Sequence, residues 1–325
     1  MTSTTLTSTG KLTRALERPR PLTRVMAWEL RRFRASRLFW LQALGFFCLS
    51  SFVIWTQQIP LTLNHAHAKV PFFGFVAGTS AWGLLMILPS GTLLLLGMLL
   101  PFVNADGVSR DLSRRTHELL MATALPTWAY VWGRYLIGLL LSLGLALLLL
   151  AAILGTGLFL HLTITDYPLP EIGNLLVIWI GMVASATVLV SSLSFALGTL
   201  LPRLTTLVKI ALLVAWFVGV QMISIVLGQA SHAANFSLPA WYIHWDPTSE
   251  GIALVMLSKY FTDFSNLAEK AATSTAQTQH ILLTVENTLI DIGGWFAPHL
   301  LLAGLSLVLV LVAALAFKRS RDTLS

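Results

Sequence analysis

Tyr135-Leu-Ile-Gly-Leu-Leu-Leu-Ser-Leu-Gly-Leu-Ala-Leu-Leu-Leu-Leu-Ala-Ala-Ile-Leu-Gly-Thr-Gly-Leu-Phe-Leu160 contains neither a charged residue nor a proline. A bilayer core of roughly 30 Å is crossed by about 20 apolar residues of helix. Lipid offers the backbone no hydrogen-bond partners, so an uninterrupted run of this kind has to be helical. Five further runs pass the same test, at 38–56, 82–103, 173–201, 207–228 and 295–317. The short alternating segments of a membrane β-barrel do not occur. The sequence therefore predicts an all-α polytopic membrane protein with six transmembrane helices.

The composition agrees. Of 325 residues, 56% are hydrophobic and 11% charged, against about 25% charged in soluble domains, and mean hydropathy is +0.77. An ordinary soluble enzyme and a disordered chain are both excluded. So is a disulfide framework, because the one cysteine, Cys48, sits inside an apolar run.

The formal charge is +7, from 21 Lys and Arg against 14 Asp and Glu, and its distribution is directional. All the cations except Lys69, Lys259 and Lys270 fall before the first span, between spans two and three, between spans four and five, or after span six. The positive-inside rule then puts both termini in the cytoplasm, as six spans require. The excess reports orientation and contact with the inner leaflet, not nucleic-acid binding. Residues 1–24 read as a disordered basic cytoplasmic tail, 25–320 as a single six-span domain, and 321–325 as a second short tail. The first span reads as an uncleaved helix in a cell inner (plasma) membrane.

Residues 25–37 precede the first span with Val25, Trp28 and Phe33 among Arg31, Arg32 and Arg34. That pattern suits an amphipathic interfacial helix with Trp28, Arg31, Arg32 and Phe33 at the headgroups, in contact with membrane lipids. It equally suits a basic flank that only sets topology. The first external loop contains Gly74 and Gly78, the spacing of a close-packing motif. It also contains His65 and His67, which lack the carboxylates or cysteines a metal site needs. The last external loop, 229–294, is too long for a structureless connector. Within it Ala253, Met256, Leu257, Tyr260, Phe261, Phe264 and Leu267 recur at helical spacing, as a surface helix or a re-entrant cap. Asn235 opens a glycosylation sequon.

Inside the spans, Pro89 should kink the second. The fourth has small polar residues on two faces: Gly181, Ser185, Ser192 and Thr199, and opposite them Thr187, Ser191, Ser194 and Gly198. That suits a helix packed between neighbours. In the fifth, Phe217, Gln221 and Ser224 are candidates to line a pathway, although packing explains such residues as well. The absence of a charge near any span centre argues against proton relays and voltage sensors.

No phosphate-binding loop, zinc-protease motif or nucleophile elbow occurs, so the chain carries no catalytic residue set, metal site or cofactor of its own by these routes. The charged segment 104–128 stands out: Asn104-Ala-Asp-Gly-Val-Ser-Arg-Asp-Leu-Ser-Arg-Arg-Thr-His-Glu-Leu-Leu-Met-Ala-Thr-Ala-Leu-Pro126, then Thr-Trp-Ala-Tyr130-Val-Trp-Gly-Arg134. Its order Arg110-Asp111, Thr116, Glu118-Leu119-Leu120, Pro126, Tyr130, Gly133-Arg134 resembles the cytoplasmic loop of permease subunits of type-2 ABC exporters, as does the six-span plan with a large last external loop. Arg115 stands where that family often has glycine.

The resemblance implies a coupling helix docking on a separate ATP-binding-cassette ATPase through Arg110, Asp111, Arg114, Arg115, Thr116, Glu118, Leu119 and Leu120. It also implies ATP and Mg on that partner, a second permease copy (identical or related), a route lined by spans two and five, and export as the direction. The alternative reading is a membrane-embedded enzyme acting on lipid or peptide, with His244 and Asp246, or His299, as its best residues.

Overall fold

All six apolar runs form helices in the computed structural model, which describes residues 21–56, 59–63, 72–108, 126–164, 167–230, 239–272 and 274–322. Helix α1 (Pro21–Ala35) leads into α2 (Arg37–Thr56). Then come strands β1 (Ile59–Leu63) and β2 (Phe72–Val76) and helices α3 (Ala81–Val108), α4 (Thr127–Thr163) and α5 (Ile172–Leu200). A 3-10 turn, Pro202–Leu204, opens α6 (Thr205–Ala230). Three shorter helices follow, α7 (Ala240–Trp245), α8 (Glu250–Ala271) and α9 (Thr275–Glu286), before α10 (Phe296–Asp322). The six helices α2, α3, α4, α5, α6 and α10 are long and apolar enough to cross a membrane.

Helix α4 begins at Thr127, directly after Pro126 and well before its apolar stretch. With 37 residues it is about 55 Å long at 1.5 Å per residue, well beyond a bilayer core. Its first two turns therefore project from the apolar zone and can carry Arg134.

The structure modifies three expectations. Strands β1 and β2 pair antiparallel, Ile59 opposite Val76 through Leu63 opposite Phe72, so the helical class acquires one small hairpin. Gly74 lies in β2 opposite Leu61, so the Gly74–Gly78 spacing is not a helix-packing motif. The kink expected at Pro89 takes the form of a π-helical stretch, Leu88–Leu93, which absorbs the missing backbone donor in a wider turn. A second π-helical stretch, Trp179–Ala184, interrupts α5.

Helix α5 is the central post, packed against α10, α3 and α4. Its small polar residues are buried on both faces, as a sandwiched helix requires. Thr187, Ser192, Ser194 and Thr199 each donate their hydroxyl to the carbonyl four residues back, which satisfies them without leaving the helix. At Gly181 the rings of Trp295 and Phe296 lie where a Cβ would be, and at Gly198 the Ala105 carbonyl does. Gly97 of α3 admits the indole of Trp216 from α6 in the same way. These contacts bring the backbones of α3, α5, α6 and α10 close together at one core.

Candidate functional site

The charged end of the bundle is built around Arg134. Helix α1 buries only Val25 and Glu29, one turn apart. Val25 fits against Gly133 of α4, where a side chain would come within 2.8 Å of its Cβ. One turn on, Glu29 Oε1 lies 3.0 Å from Arg134 Nε, both side chains almost fully buried. Arg32 Nη1 approaches the other Glu29 oxygen at 2.6 Å. The Arg134 guanidinium lies 4.6 Å from the Tyr130 ring centroid and 5.3 Å from that of Trp28, and Nη1 donates to the Gly107 carbonyl. One cation thus joins α1, α4 and the end of α3.

A second link holds α3 from the other side. Lys209 of α6 donates to Asp106 Oδ2 at 2.6 Å, beneath the ring of Phe102. Asn104, a turn away, donates to the Leu100 carbonyl and to Ser142 Oγ of α4 at 2.9 Å. The two ion pairs differ in weight. Breaking a buried pair by removing one partner costs about 3–5 kcal/mol, whereas a pair as open as Lys209–Asp106, whose carboxylate is 39% exposed, contributes about 1 kcal/mol or less.

Sequence reading singled out the loop between these anchors. Arg110, Asp111, Arg114, Arg115, Thr116, Glu118, Leu119 and Leu120 all lie outside the described residues, as do His65, His67 and Asn235. Of the interfacial set, Trp28 and Arg31 are exposed and Arg32 and Phe33 half-buried. The face of α1 that meets the bundle is Val25 and Glu29 rather than the Trp28–Phe33 stripe. Phe217 is exposed and Gln221 half-buried, while the side chain of Ser224 lies outside the described set. The sequence reading placed Glu29, Asp106 and Lys209 in no site, and Arg134 only in the motif that carries the resemblance. Their signal was present in Glu29, the one acid in a basic helix, one turn after Val25.

At the opposite end, α7 and α8 meet in a sharp corner. Ser249 there is fully buried with φ 63°, left-handed although not glycine, and does not cap α8. Asp246 takes over that task. Its Oδ2 accepts from the Gly251 N–H at 3.0 Å, and its Oδ1 from the N–H and hydroxyl of Thr248 at 3.0 and 2.7 Å. The corner lies alongside α6, with the Thr248 methyl 3.3 Å from where a Gly219 Cβ would sit. Gly219 is about 21 Å along α6 from Thr205 at 1.5 Å per residue, so irregular backbone runs beside a span, packed against protein.

His244 rests on Gly294, whose φ of +81° and proximity to the ring both demand glycine. The His299 Nδ1 contacts the Gly181 carbonyl at 3.0 Å. Asp246 thus holds the α7–α8 corner, His299 links α10 to α5, and His244 packs against the segment that leads into α10. Among the described residues no three His, Cys, Asp or Glu side chains gather to hold a metal.

Helix α8 caps the start of α3. Tyr260 stacks on Trp82 at 5.9 Å and Phe264 meets the same indole edge-on. Of the helical-spacing residues, Ala253, Tyr260 and Phe264 face inward, and Phe261 and Leu267 outward. Nearby, the buried Glu286 accepts from the Ala77 N–H at 3.1 Å. Burial pushes its carboxyl up to about 8, and the Ala77 bond offsets this in part. The folded state therefore holds a proton that the unfolded chain, near 4.5, releases. This contribution to stability is fully present below the unfolded value and is lost as pH rises through the folded one. Glu286→Gln is expected to flatten that slope and to leave the variant more stable than the parent at pH 9. Thermal unfolding in detergent at pH 5 and pH 9 checks this, and identical slopes for the two proteins would refute it.

Fold and site together define a helical multi-pass membrane protein with six apolar helices and one charge-clamped end. Searches of protein-family models and of curated proteins returned no match to this chain.

Proposed function

We propose that the chain is the permease subunit of a type-2 ABC exporter, driven by a separate ATPase that docks on loop 104–126 at the cytoplasmic side of the plasma membrane. The observation that carries this reading is the pair of clamps bracketing the loop. Asp106 and Gly107, at its start, are tied to α6 and to α4 and α1 through Lys209 and Arg134. Tyr130, just after it, packs on the same guanidinium. A force on the loop therefore acts on α1, α3, α4 and α6 at once, as coupling ATP hydrolysis to span motion requires.

The distribution of Lys and Arg supports a cytoplasmic location for this end and for both termini. In the same reading, a route lined by spans two and five opens between two permease copies as the loop draws α3 aside; within one chain these two helices pack together at Gly97 and Trp216. ATP and Mg belong to the partner, and export is the direction the family resemblance implies.

Mild-detergent purification of the tagged chain from its native membranes tests the reading. An ATP-binding-cassette protein in equal stoichiometry is expected. Repeated recovery of the chain without one, in a form that still transports, would overturn it.

A further inference from the structure

A cavity of about 420 Å³ lies between α5, α6 and the α7–α8 corner. Small-molecule sites typically enclose roughly 300–1,000 Å³, with apolar walls and a few placed polar groups. Here the walls are aliphatic, from residues such as Leu193 of α5 and Ala215 of α6, and the polar character is gathered on one side. That side is lined by Trp241, Tyr242, Trp245 and Asp246, with Trp241 and Trp245 exposed on its outer edge.

Asp246 is the one charged residue in the lining. It is 5% exposed, and its oxygens are held by the N–H groups and hydroxyl of the corner. Those bonds fix a negative charge beside the cavity without cancelling it. Aromatic faces attract cations through the ring quadrupole, most strongly when desolvated, and suit quaternary ammonium heads in particular. A carboxylate behind such rings adds to the same preference and opposes an anion.

We propose that this cavity binds an amphiphile with a quaternary-ammonium or protonated-amine head and an apolar tail. The head sits at Trp241, Tyr242, Trp245 and Asp246, and the tail runs between α5 and α6. The proposal is independent of the ATPase reading, since it concerns binding alone. Two sources supply such a ligand, a choline-headed phospholipid from the bilayer or a free cationic amphiphile.

The test is calorimetric titration of the whole chain, in phosphatidylglycerol nanodiscs, with decyltrimethylammonium and with decanol as the uncharged comparator. Saturable binding of one cation per chain is expected, at least about fivefold tighter than decanol, the scale that partly exposed cation–π contacts of about 0.5–1 kcal/mol each supply. Trp245→Leu removes the ring but leaves an apolar wall, and is expected to weaken the cation about threefold with a smaller effect on decanol. Ala215→Phe fills the tail region and is expected to abolish both.

Asp246→Asn tests the charge, but Asp246 also caps α8, so Trp245→Leu and Ala215→Phe carry the test if that variant fails to fold. Equal affinity for decanol and the cation, or undiminished cation binding in Ala215→Phe, would overturn the proposal. Repeating the titration in phosphatidylcholine nanodiscs separates the sources. Competition there identifies the lipid headgroup as a ligand, and unchanged affinity identifies the free amphiphile.

Discussion

Arg134→Met is expected to destabilise the detergent-solubilised protein by about 3–5 kcal/mol, the usual consequence of removing one member of a buried ion pair. The cost arises from Glu29, which stays buried at the α1–α4 contact and keeps only Arg32, whose side chain is 30% exposed. The variant also gives up the donor to Gly107 and the cation between Trp28 and Tyr130. Helix α1 then loses its hold on the bundle, and limited trypsin digestion should cut at Arg31 and Arg34 faster than in the parent.

Arg134→Lys should rescue little, because an ammonium cannot span Glu29, Gly107 and two rings as a planar guanidinium does. The double variant Glu29→Gln/Arg134→Met should recover much of the loss, since it leaves no charge stranded. A double-mutant cycle read by thermal unfolding checks this. Strict additivity of the two substitutions would show that the pair does not act as a unit.

The spans were legible because continuous apolar sequence admits one conformation in lipid, and all six formed where hydropathy placed them. Their ends were less so. Arg134 reads as a cationic flank at the start of an apolar stretch, and its burial follows from the tertiary contact with Glu29. An acid on the buried face of α1 runs against apolar and basic patterning, so sequence oriented that helix by Trp28 and Phe33 instead.

The π-helical stretch at Trp179–Ala184 has no proline to announce it. It accompanies Trp295 and Phe296 packing on Gly181, residues far apart in sequence. The two faces of α5 were readable because small polar residues in a span have few other uses. Asp246-Pro-Thr-Ser-Glu250 reads as an ordinary turn, and its position beside α6 follows from Gly219 offering room for Thr248. The docking role proposed for loop 104–126 rests on family resemblance, while the ion pairs beside the loop emerged from the fold.

Charge reversal in that loop, Arg114→Glu with Arg115→Glu or Glu118→Lys, is expected to have the largest effect on transport of the substitutions considered. Removing one partner of a desolvated interfacial charge pair costs about 2–5 kcal/mol, a loss of thirtyfold or more in affinity for the ATPase. These residues lie outside the Glu29–Arg134 and Asp106–Lys209 pairs, so the thermal unfolding midpoint of the isolated chain should not move. ATP-driven transport in reconstituted vesicles should nevertheless fall to the level seen without ATP.

The most direct measurement is ATP hydrolysis by the ATPase that purifies with the chain, compared between the parent and the Arg114→Glu/Arg115→Glu variant at equal folded protein. The proposed function predicts that the variant loses the bound ATPase or retains one whose hydrolysis no longer drives transport. An unchanged complex whose hydrolysis remains fully coupled would contradict it.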